Sequence, residues 1–411
     1  MQLVRILSFI SYRRLHKAGA GLALIAVIEL FAGKSAVAQD STYFKKTYRR
    51  FFNKYVKVDS AIIDRDSSKA TTSHEFPVPV VGFSKERKLV IGLALIYAFY
   101  RNSYDFKALS SSLVVSGGLF HLDQIRYRFK PRIFGDKKQY REQEEVAYQH
   151  YTQNYYGIGN RTLDTSFANL RQLRISGSLD FQRRLSKKIF FGVRTQYQYD
   201  NIKDKTVHGG FPTSNLDFAT KAGSTFWIGP TFIFDTRNFQ NYADKGDYLR
   251  AQMLYSPGFF NISGRTIPQL SIDGRHYKRI GRRQVLAANL VGQLSLSDNI
   301  PYFFLNQLGG SQIMRGYYTG RFRDRNVIEV QMEYRYRFLP RIAAAVFAGT
   351  GQVYGIQPFD INHFKPDGGG GLRYFFDLAS RSTIRIDYGV GQKISGEKRI
   401  GGFYVSVNEA F

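Results

Sequence analysis

Hydrophobic and polar residues alternate strictly along several long segments of the chain. Over residues 327–338 one face carries Ile328, Val330, Met332, Tyr334, Tyr336 and Phe338, and the other carries Glu329, Gln331, Glu333, Arg335 and Arg337. Successive side chains of a β-strand point to opposite faces, so the pattern predicts a strand with one apolar and one wet face. Residues 382–392 and 191–200 repeat this alternation.

The alternating segments are longer than the strands of soluble sheets. They run for about ten residues or more, whereas strands of soluble proteins average about five to six. About ten residues suffice for a tilted strand to cross a bilayer. About sixteen such segments follow one another from Pro77 to the end, separated by turn residues. We therefore predict an all-β fold, an antiparallel transmembrane β-barrel of about sixteen strands, with the N- and C-termini of the barrel both on the periplasmic side.

The expected strands can be given as ranges. They are 78–83, 88–100, 105–117, 119–134, 139–151, 166–184, 188–202, 223–236, 247–258, 266–279, 284–297, 326–338, 341–355, 368–378, 382–393 and 400–411.

Composition agrees with a membrane barrel. The chain has 28 Tyr and 35 Phe, yet its hydrophobic fraction is an ordinary 43%. Girdles of aromatic residues at the two membrane interfaces account for such a bias. Cysteine is absent, which excludes disulfides, thiolate metal sites and cysteine nucleophiles.

The N-terminus predicts export. Arg13 and Arg14 precede an apolar run over 18–32, and Ala36-Val37-Ala38 has the small-x-small pattern of a cleavage site. We expect a signal peptide over 1–38, with an N-terminal membrane anchor as the alternative. Residues 39–76 then form a periplasmic segment, either a short basic amphipathic helix followed by a linker or a solvated linker throughout. The barrel occupies 77–411.

The chain is strongly basic, with a formal net charge of +27. Its Lys and Arg residues recur at alternate strand positions and do not cluster on a helix, which argues against a nucleic-acid partner. We interpret them as lumen, loop and rim charges. Anionic headgroups of outer-membrane lipids are their expected neighbours.

A long glycine-punctuated loop precedes the strand at 326. Residues 308–324 contain Arg315-Gly316-Tyr317 at the centre. Further motif residues of the same loop are Gly309, Gly310, Gly320 and Asp324. A loop of this length inside a compact domain is usually functional.

Several motifs in order along the chain resemble the BamA/TamA outer-membrane assembly family, also called the bacterial surface antigen family. They are the Arg315 loop, the opening segment Phe76-Pro77-Val78-Pro79, the loop Tyr155–Asn160, the strand-end residues Asp235, Arg237 and Gly246, and the closing segments Gly370–Arg373 and Arg385–Tyr388. Phe411 resembles the C-terminal aromatic signal of outer-membrane barrels, with Phe403, Val405 and Val407 expected on its face.

The resemblance implies a role for the loop. In the family it folds into the lumen, where its arginine pairs with acidic residues of the wall. Arg315 would be that cation, and Glu333 occupies the family's acidic wall position. Gly349 stands where the family has a second acid, so anchoring would rest on Glu333 alone or on another acid.

The resemblance also implies a function. The chain looks like a short, barrel-only member without the periplasmic POTRA domains, since only about 38 residues separate the expected cleavage point from Pro77. Its function would be insertion or translocation of outer-membrane proteins or lipids, with client barrels and periplasmic chaperones as partners. A short first strand containing Pro79 would give a weak seam, because proline cannot donate a ladder hydrogen bond. A passive pore or scaffold barrel is the alternative.

We expect no enzyme activity, cofactor or metal. The seven His residues lack metal-ligand spacing, and no nucleophile elbow or phosphate loop occurs. A lipid-modifying barrel enzyme that pairs His121 with a serine is the remaining catalytic alternative.

Overall fold

The computed structural model describes the chain from residue 73 onward, with short gaps. The gaps are 85–87, 100–110, 121–123, 135–138, 212–221, 262, 299, 379–380, 394–395, 397–398, 400 and 408. The expected signal peptide and the segment 39–72 lie outside the described residues, so both stay predictions.

The described residues form strands joined by turns and loops. In chain order the strands are β1 Ser73–Ser84, β2 Lys88–Phe99, β3 Ser111–Phe120, β4 Gln124–Phe134, β5 Tyr140–Tyr155, β6 Phe167–Arg184, β7 Ile189–His208, β8 Gly223–Asp235, β9 Gly246–Ser256, β10 Ile267–Gly281, β11 Gln284–Ser295, β12 Asn306–Gln307, β13 Arg323–Asp324, β14 Asn326–Leu339, β15 Ile342–Tyr354, β16 Lys365–Asp377, β17 Ser382–Gly391 and β18 Gly401–Val407. Single 3-10 turns span Gly258–Phe260, Tyr302–Phe304 and Ile361–His363. No helix within the described part of the chain is long and apolar enough to cross a membrane.

Sixteen of these strands close into one antiparallel barrel. Each pairs with its neighbour in the chain, except that β11 pairs with β14, because β12 and β13 pair with each other inside the intervening loop. The even number brings the start of β1 and the end of β18 to the same rim, here called the terminal rim; the opposite one is the distal rim. The predicted barrel is confirmed.

The two faces of the wall differ as the alternation predicts. On the outer face, Met332, Val346 and Tyr388 are each more than half exposed, as expected of side chains that meet lipid. On the inner face of β14, Glu329 and Glu333 are buried. Burial of charged residues on an inner wall requires that other groups fill the lumen beside them.

Several strand boundaries differ from expectation. β3 ends at Phe120, not at residue 117, and β7 ends at His208, not at residue 202. Two further differences concern the first and the last strand. β1 begins at Ser73, not at residue 78, because a continuous antiparallel register with β2 carries it through Pro79. A short first strand was therefore a wrong expectation. β18 ends at Val407, not at residue 411. The side chain of Glu409 turns inward, where its Oε2 atom lies 3.1 Å from the Nε atom of Arg373.

The barrel closes through a brief seam between β1 and β18. Among the described residues, Gly82 pairs with Tyr404, Phe83 with Phe403 and Ser84 with Gly402. The register between β1 and β2 covers all twelve residues of β1. Pro79 thus lies in a part of β1 with no described partner on its other edge, which is where a strand tolerates proline.

Candidate functional site

The loop that joins β11 to β14, residues 296–325, enters the lumen from the distal rim. Its apolar side chains Leu308, Met314 and Tyr317 are fully buried and pack against the inward residues Val327 and Val353. A tight turn forms its tip, in which the amide of Tyr317 donates to the carbonyl of Met314 at 3.0 Å. Arg315 is carried by this turn and has no solvent exposure.

Arg315 bridges two strands of the wall. Its Nη2 atom forms an ion pair with Glu333 of β14, and its Nη1 atom lies 2.7 Å from Oδ2 of Asp387 in β17. The guanidinium carbon stacks 3.7 Å from the ring centroid of Phe347 in β15. All three wall residues are inward-facing and buried. The loop tip is therefore held by charge on two sides and by a cation–π contact between them.

Further arginines share the two carboxylates. Arg335 Nε lies 2.6 Å from Glu333 Oε1, and Arg373 contacts both Glu333 and Asp387. Arg385 Nη1 lies 3.0 Å from Asp387 Oδ2. Buried charges are tolerated only when they are paired and hydrogen-bonded, so this network depends on each of its members.

Glycines let the loop tip approach the wall at backbone distance. A Cβ atom at Gly316 would lie 2.2 Å from the carbonyl carbon of Val390. On the wall, a Cβ at Gly389 would lie 2.6 Å from the carbonyl carbon of Arg315, and one at Gly391 would meet the ring of Tyr317 at 2.7 Å. Any larger side chain at these positions would displace the loop.

Polar groups of the loop also form hydrogen bonds with residues of the barrel wall. The amide of Gly309 donates to Glu329 at 2.8 Å, and the amide of Gly316 donates to Asp367 at 2.5 Å. The hydroxyl of Tyr317 donates to the carbonyl of Pro366 and accepts from the amide of Gln392, both at 2.8 Å. These contacts satisfy polar groups that would otherwise be buried without partners.

The other motif residues shape the loop further from its tip. Gly309, Gly310 and Gly320 all have positive φ values, which glycine adopts without strain. The carboxylate of Asp324 accepts from the amides of Ile356 and Gln357 at 2.8 and 3.1 Å. Asp324 thereby joins the loop to the connection between β15 and β16.

The loop that follows β5 meets this element at the distal rim. The amide of Gly159 donates to the carbonyl of Arg323 at 2.8 Å, and Asn160 Oδ1 accepts from the amide of Val353 at 3.2 Å. The motif Tyr155–Asn160 is thus hydrogen-bonded both to the end of the Arg315 loop and to β15.

A second part of the 296–325 loop packs on the opposite side of the lumen. The turn Tyr302–Phe304 is buried among inward apolar residues of β5 to β10. The ring of Phe304 meets Trp227 edge-on at 4.7 Å, and the ring of Tyr302 lies 4.9 Å from that of Tyr155. These three loop residues, here called the aromatic plug, fill the distal part of the lumen beside β5 to β10.

The strand-end residues Asp235, Arg237 and Gly246 form a separate element at the terminal rim. Arg237 makes a two-point contact with Asp235, at 2.7 and 2.9 Å, and stacks 4.3 Å from the ring of Tyr248. Gly246 has a φ of +99° and no room for a Cβ beside Thr236. The element bounds a turn over 236–245 that carries the buried residues Tyr242, Ala243 and Asp244.

Phe411 does not share a face with the lipid-facing residues of β18. Phe403, Val405 and Val407 pair with Tyr388, Ile386 and Ile384 of β17 and so lie on the outer face. Phe411 is buried inside, where its ring packs with Tyr277 and its carbonyl oxygen accepts from Arg335 at 3.1 Å. The expectation of one shared face was wrong, because the chain turns inward after Val407. A role of Phe411 as an assembly signal stays a prediction.

Comparison with known families and structures agrees with this architecture. Residues 124–411 match the Omp85 superfamily domain. The chain belongs to the Omp85 superfamily. The resemblance to the BamA/TamA assembly family, whose members are outer-membrane barrels, is thereby confirmed at the level of the superfamily. A comparison with curated protein sequences finds no match.

Three solved structures superpose on most of the chain at low identity. BamA from Haemophilus ducreyi lacking POTRA domains 1–3 has a TM-score of 0.54 at 12% identity, covering 83% of this chain and 70% of that one. CdiB from Acinetobacter baumannii gives 0.52 at 14%, covering 83% of this chain and 60% of that one. CdiB from Escherichia coli gives 0.51 at 11%, covering 83% and 63%. The chain spans less than two thirds of either CdiB, and the likeness concerns the fold.

The sequence alone did not identify all members of the charge network around Arg315 in this Omp85 barrel. The structure adds three residues that the sequence had not indicated, namely Asp387, Arg373 and Glu409. The alternation of β17 placed Asp387 on the wet face, which made it a candidate. Its distance of 72 residues from Arg315 gave no further signal.

Proposed function

We propose that this Omp85 barrel assists the insertion or translocation of outer-membrane proteins or lipids. The observation that carries the proposal is the arrangement of the seam and the docked loop. Asp387, which holds Arg315, lies on β17, and β17 pairs with β18, the strand that forms the brief seam with β1.

A brief seam has a physical use. Strands that share few ladder hydrogen bonds separate more readily, and a separated strand offers an unpaired edge to a client strand. Opening would also disturb the lipid beside the seam. The loop stabilises the strands next to that opening, so β18 would move against a fixed neighbour.

The partners proposed here follow from this use. They are outer-membrane lipids, including those with anionic headgroups, client outer-membrane barrels, and periplasmic chaperones that deliver them. Export through a signal peptide over 1–38 and a periplasmic segment over 39–76 belong to the same proposal. Neither a cofactor nor a nucleic acid has a part in it.

The test is reconstitution of the full protein in liposomes, with folding of an unrelated outer-membrane barrel followed over time. We expect folding of the client to accelerate, and Arg315→Ala to remove most of the acceleration. Arg315→Lys, which keeps the charge but not the two-point geometry, should restore part of it. Arg265→Ala, at an exposed loop position, is the control.

The alternative is a passive pore or scaffold. Ion conductance recorded from the same liposomes separates the two functions. Conductance without client acceleration would favour the pore and remove insertion as the function. A folded Arg315→Ala variant with full acceleration would remove the loop from the mechanism.

A further inference from the structure

The two halves of the lumen differ in how tightly they are filled. Beside β14 to β17, the side chains of Arg315, Glu333 and Asp387 have no solvent exposure, because the loop packs onto them. Beside β4 to β9, several inward side chains keep part of their exposure, with Arg128 at 36% and Arg250 at 20%, although others such as Asp180 are buried. Partial exposure of inward side chains requires an internal space. Among the described residues, the part of the lumen that lies beside β4 to β9 and toward the terminal rim is therefore open, and it is called the hollow half below.

The wall of this hollow half carries a cluster with more cations than carboxylates. Asp180 is shared by Arg250 and by Arg194, whose Nη1 atom lies 3.6 Å from its Oδ2 atom. Glu145 is shared by Arg128 at 3.0 Å and by Lys130 at 3.4 Å. Four cations against two carboxylates leave a net charge of +2 for the cluster.

Two further carboxylates on the described part of the neighbouring wall have arginine partners of their own. Asp200 is paired with Arg174 at 2.7 Å, and Asp273 is paired with Arg275 at 2.5 Å. Neutral hydrogen-bonding groups lie beside the cluster. The amide of Gln182 donates to Asp180 at 2.6 Å and to Thr231 at 3.5 Å, and Gln196 accepts from Arg194 at 3.5 Å. Arginines beside neutral donors in a partly dehydrated cavity are the chemistry that binds phosphate or carboxylate.

The cluster lies toward the terminal rim. Glu145 and Arg194 stand five residues into β5 and β7 from that rim, and Asp180 stands four from the end of β6. The aromatic plug packs on the distal parts of the same strands, against Leu170 among others. An anion would therefore reach the cluster from the terminal side.

We propose that the hollow half of the lumen, between β4 and β9, is a binding chamber for an anion that carries phosphate or carboxylate groups. Arg194 and Arg250 face the anion together with Arg128 and Lys130. Asp180 and Glu145 hold these cations in place. The proposal is independent of insertase activity, since the chamber is separate from the Arg315 network.

The test measures thermal unfolding of the purified barrel by heat-modifiability, with chloride replaced by inorganic phosphate at constant ionic strength. A bound anion stabilises the folded state, and phosphate tenfold above its Kd should raise the midpoint by about 3 °C. Arg194→Gln should weaken phosphate binding about tenfold or more, because one charge-assisted hydrogen bond is lost. Arg194→Lys should retain much of the shift.

The control is Arg171→Gln, which removes the same charge from the exposed outer face of β6. Asp180 keeps Arg250 in the Arg194→Gln variant, so this substitution leaves the buried carboxylate paired. A shift that is lost in Arg194→Gln and kept in Arg171→Gln supports the chamber. Equal shifts in all variants would mean a general salt effect, and no shift in the wild type would mean no binding; either overturns the proposal.

A short-chain anionic phospholipid in the same assay identifies the source of the phosphate. If the lipid shifts the midpoint at lower concentration than phosphate does, a lipid headgroup is the ligand. The reverse order assigns a free anion. Both orders support the chamber, provided that the shift depends on Arg194.

Discussion

Asp387 of β17 accepts from Arg315 of the loop after β11, with 2.7 Å between Oδ2 and Nη1. The contact joins a loop tip to the wall strand that stands next to the seam strand β18. Asp387 is also the second acidic partner of Arg315, which the sequence alone did not identify. Glu333 and Asp387 together approach the guanidinium from β14 and β17.

We predict strong coupling between Arg315 and Asp387. Arg315→Ala should lower the free energy of unfolding by about 3 kcal/mol, because removing one partner leaves a buried charge less well compensated. Asp387→Asn should cost a similar amount. In the double variant the two losses should fall short of their sum by about 1 kcal/mol or more. Urea unfolding monitored by heat-modifiability measures all three, and additive losses would show that the residues act separately.

We predict that Gly316 tolerates no side chain. A Cβ at Gly316 would lie 2.2 Å from the carbonyl carbon of Val390, so Gly316→Ala should displace the loop tip and cost about 2 kcal/mol or more. Gly292→Ala, at a strand position where a Cβ meets nothing within 4 Å, is the matched control. Limited proteolysis should cut the loop 308–324 faster in Gly316→Ala only. Equal protection of both variants would contradict the close approach.

Much of the fold was predictable, because a barrel crossing a bilayer imposes period-two alternation on every strand. The alternation of 327–338 identified β14 and its wet face, and the position of Arg315 before it identified the loop. The end of β18 was not predictable in this way. Phe403, Val405 and Val407 alternate with other residues, and Glu409 interrupts the apolar face without showing where the strand ends. The chain leaves the sheet after Val407, because Arg373 and Thr383 hold Glu409 inside the lumen.

The site was less predictable than the fold for a related reason. Alternation places a residue on the inner face, but the pairing of inner-face residues depends on how strands distant in the chain meet around the barrel. Asp387, Arg373 and Glu333 meet because β14 to β17 are consecutive in the closed sheet and the loop tip fills the space between them. Neither condition can be deduced from the alternation of apolar and polar residues within a single strand.

We predict that a disulfide between β1 and β18 stops the acceleration of client folding if client strands enter the membrane through the seam. Phe83 and Phe403 are direct partners, and the chain has no native cysteine, so Phe83→Cys with Phe403→Cys creates one defined pair. Oxidation should abolish the acceleration of client folding, and reduction should restore it. A cysteine pair within the long register of β1 and β2, at Val80 and Gly92, is the control. Full activity in the oxidised seam variant would rule out opening there.

We predict a specific loss of stability in acid at the turn 236–245. Burial of Asp244 would raise its pKa, but hydrogen bonds and charge from Arg381 and Arg279 outweigh burial and hold the pKa below its usual range. A carboxyl group whose pKa is lowered by folding contributes stability above its unfolded pKa of about 3.9 and loses it as the pH falls through the folded value.

Asp244→Asn should therefore be less stable than the wild type at pH 7, and the difference should shrink below about pH 4. Thermal midpoints of both proteins at pH 7 and pH 3 measure this difference. Asp298→Asn, whose side chain is almost fully exposed, is the control and should show no such trend. A difference between Asp244→Asn and the wild type that is the same at both pH values would exclude the carboxylate as the cause.

The loop after β11 is attached to two separate arcs of the ring of sixteen strands. The aromatic plug fixes it to β5 through β10, and Arg315 fixes it to β14 through β17. A chain segment attached in this way acts as a crossbeam that holds the cross-section of the barrel to one shape. Parting β1 from β18 would change that cross-section unless one attachment is released. In the proposed mechanism, the width of the opening would therefore be set by a segment that does not touch the opening itself.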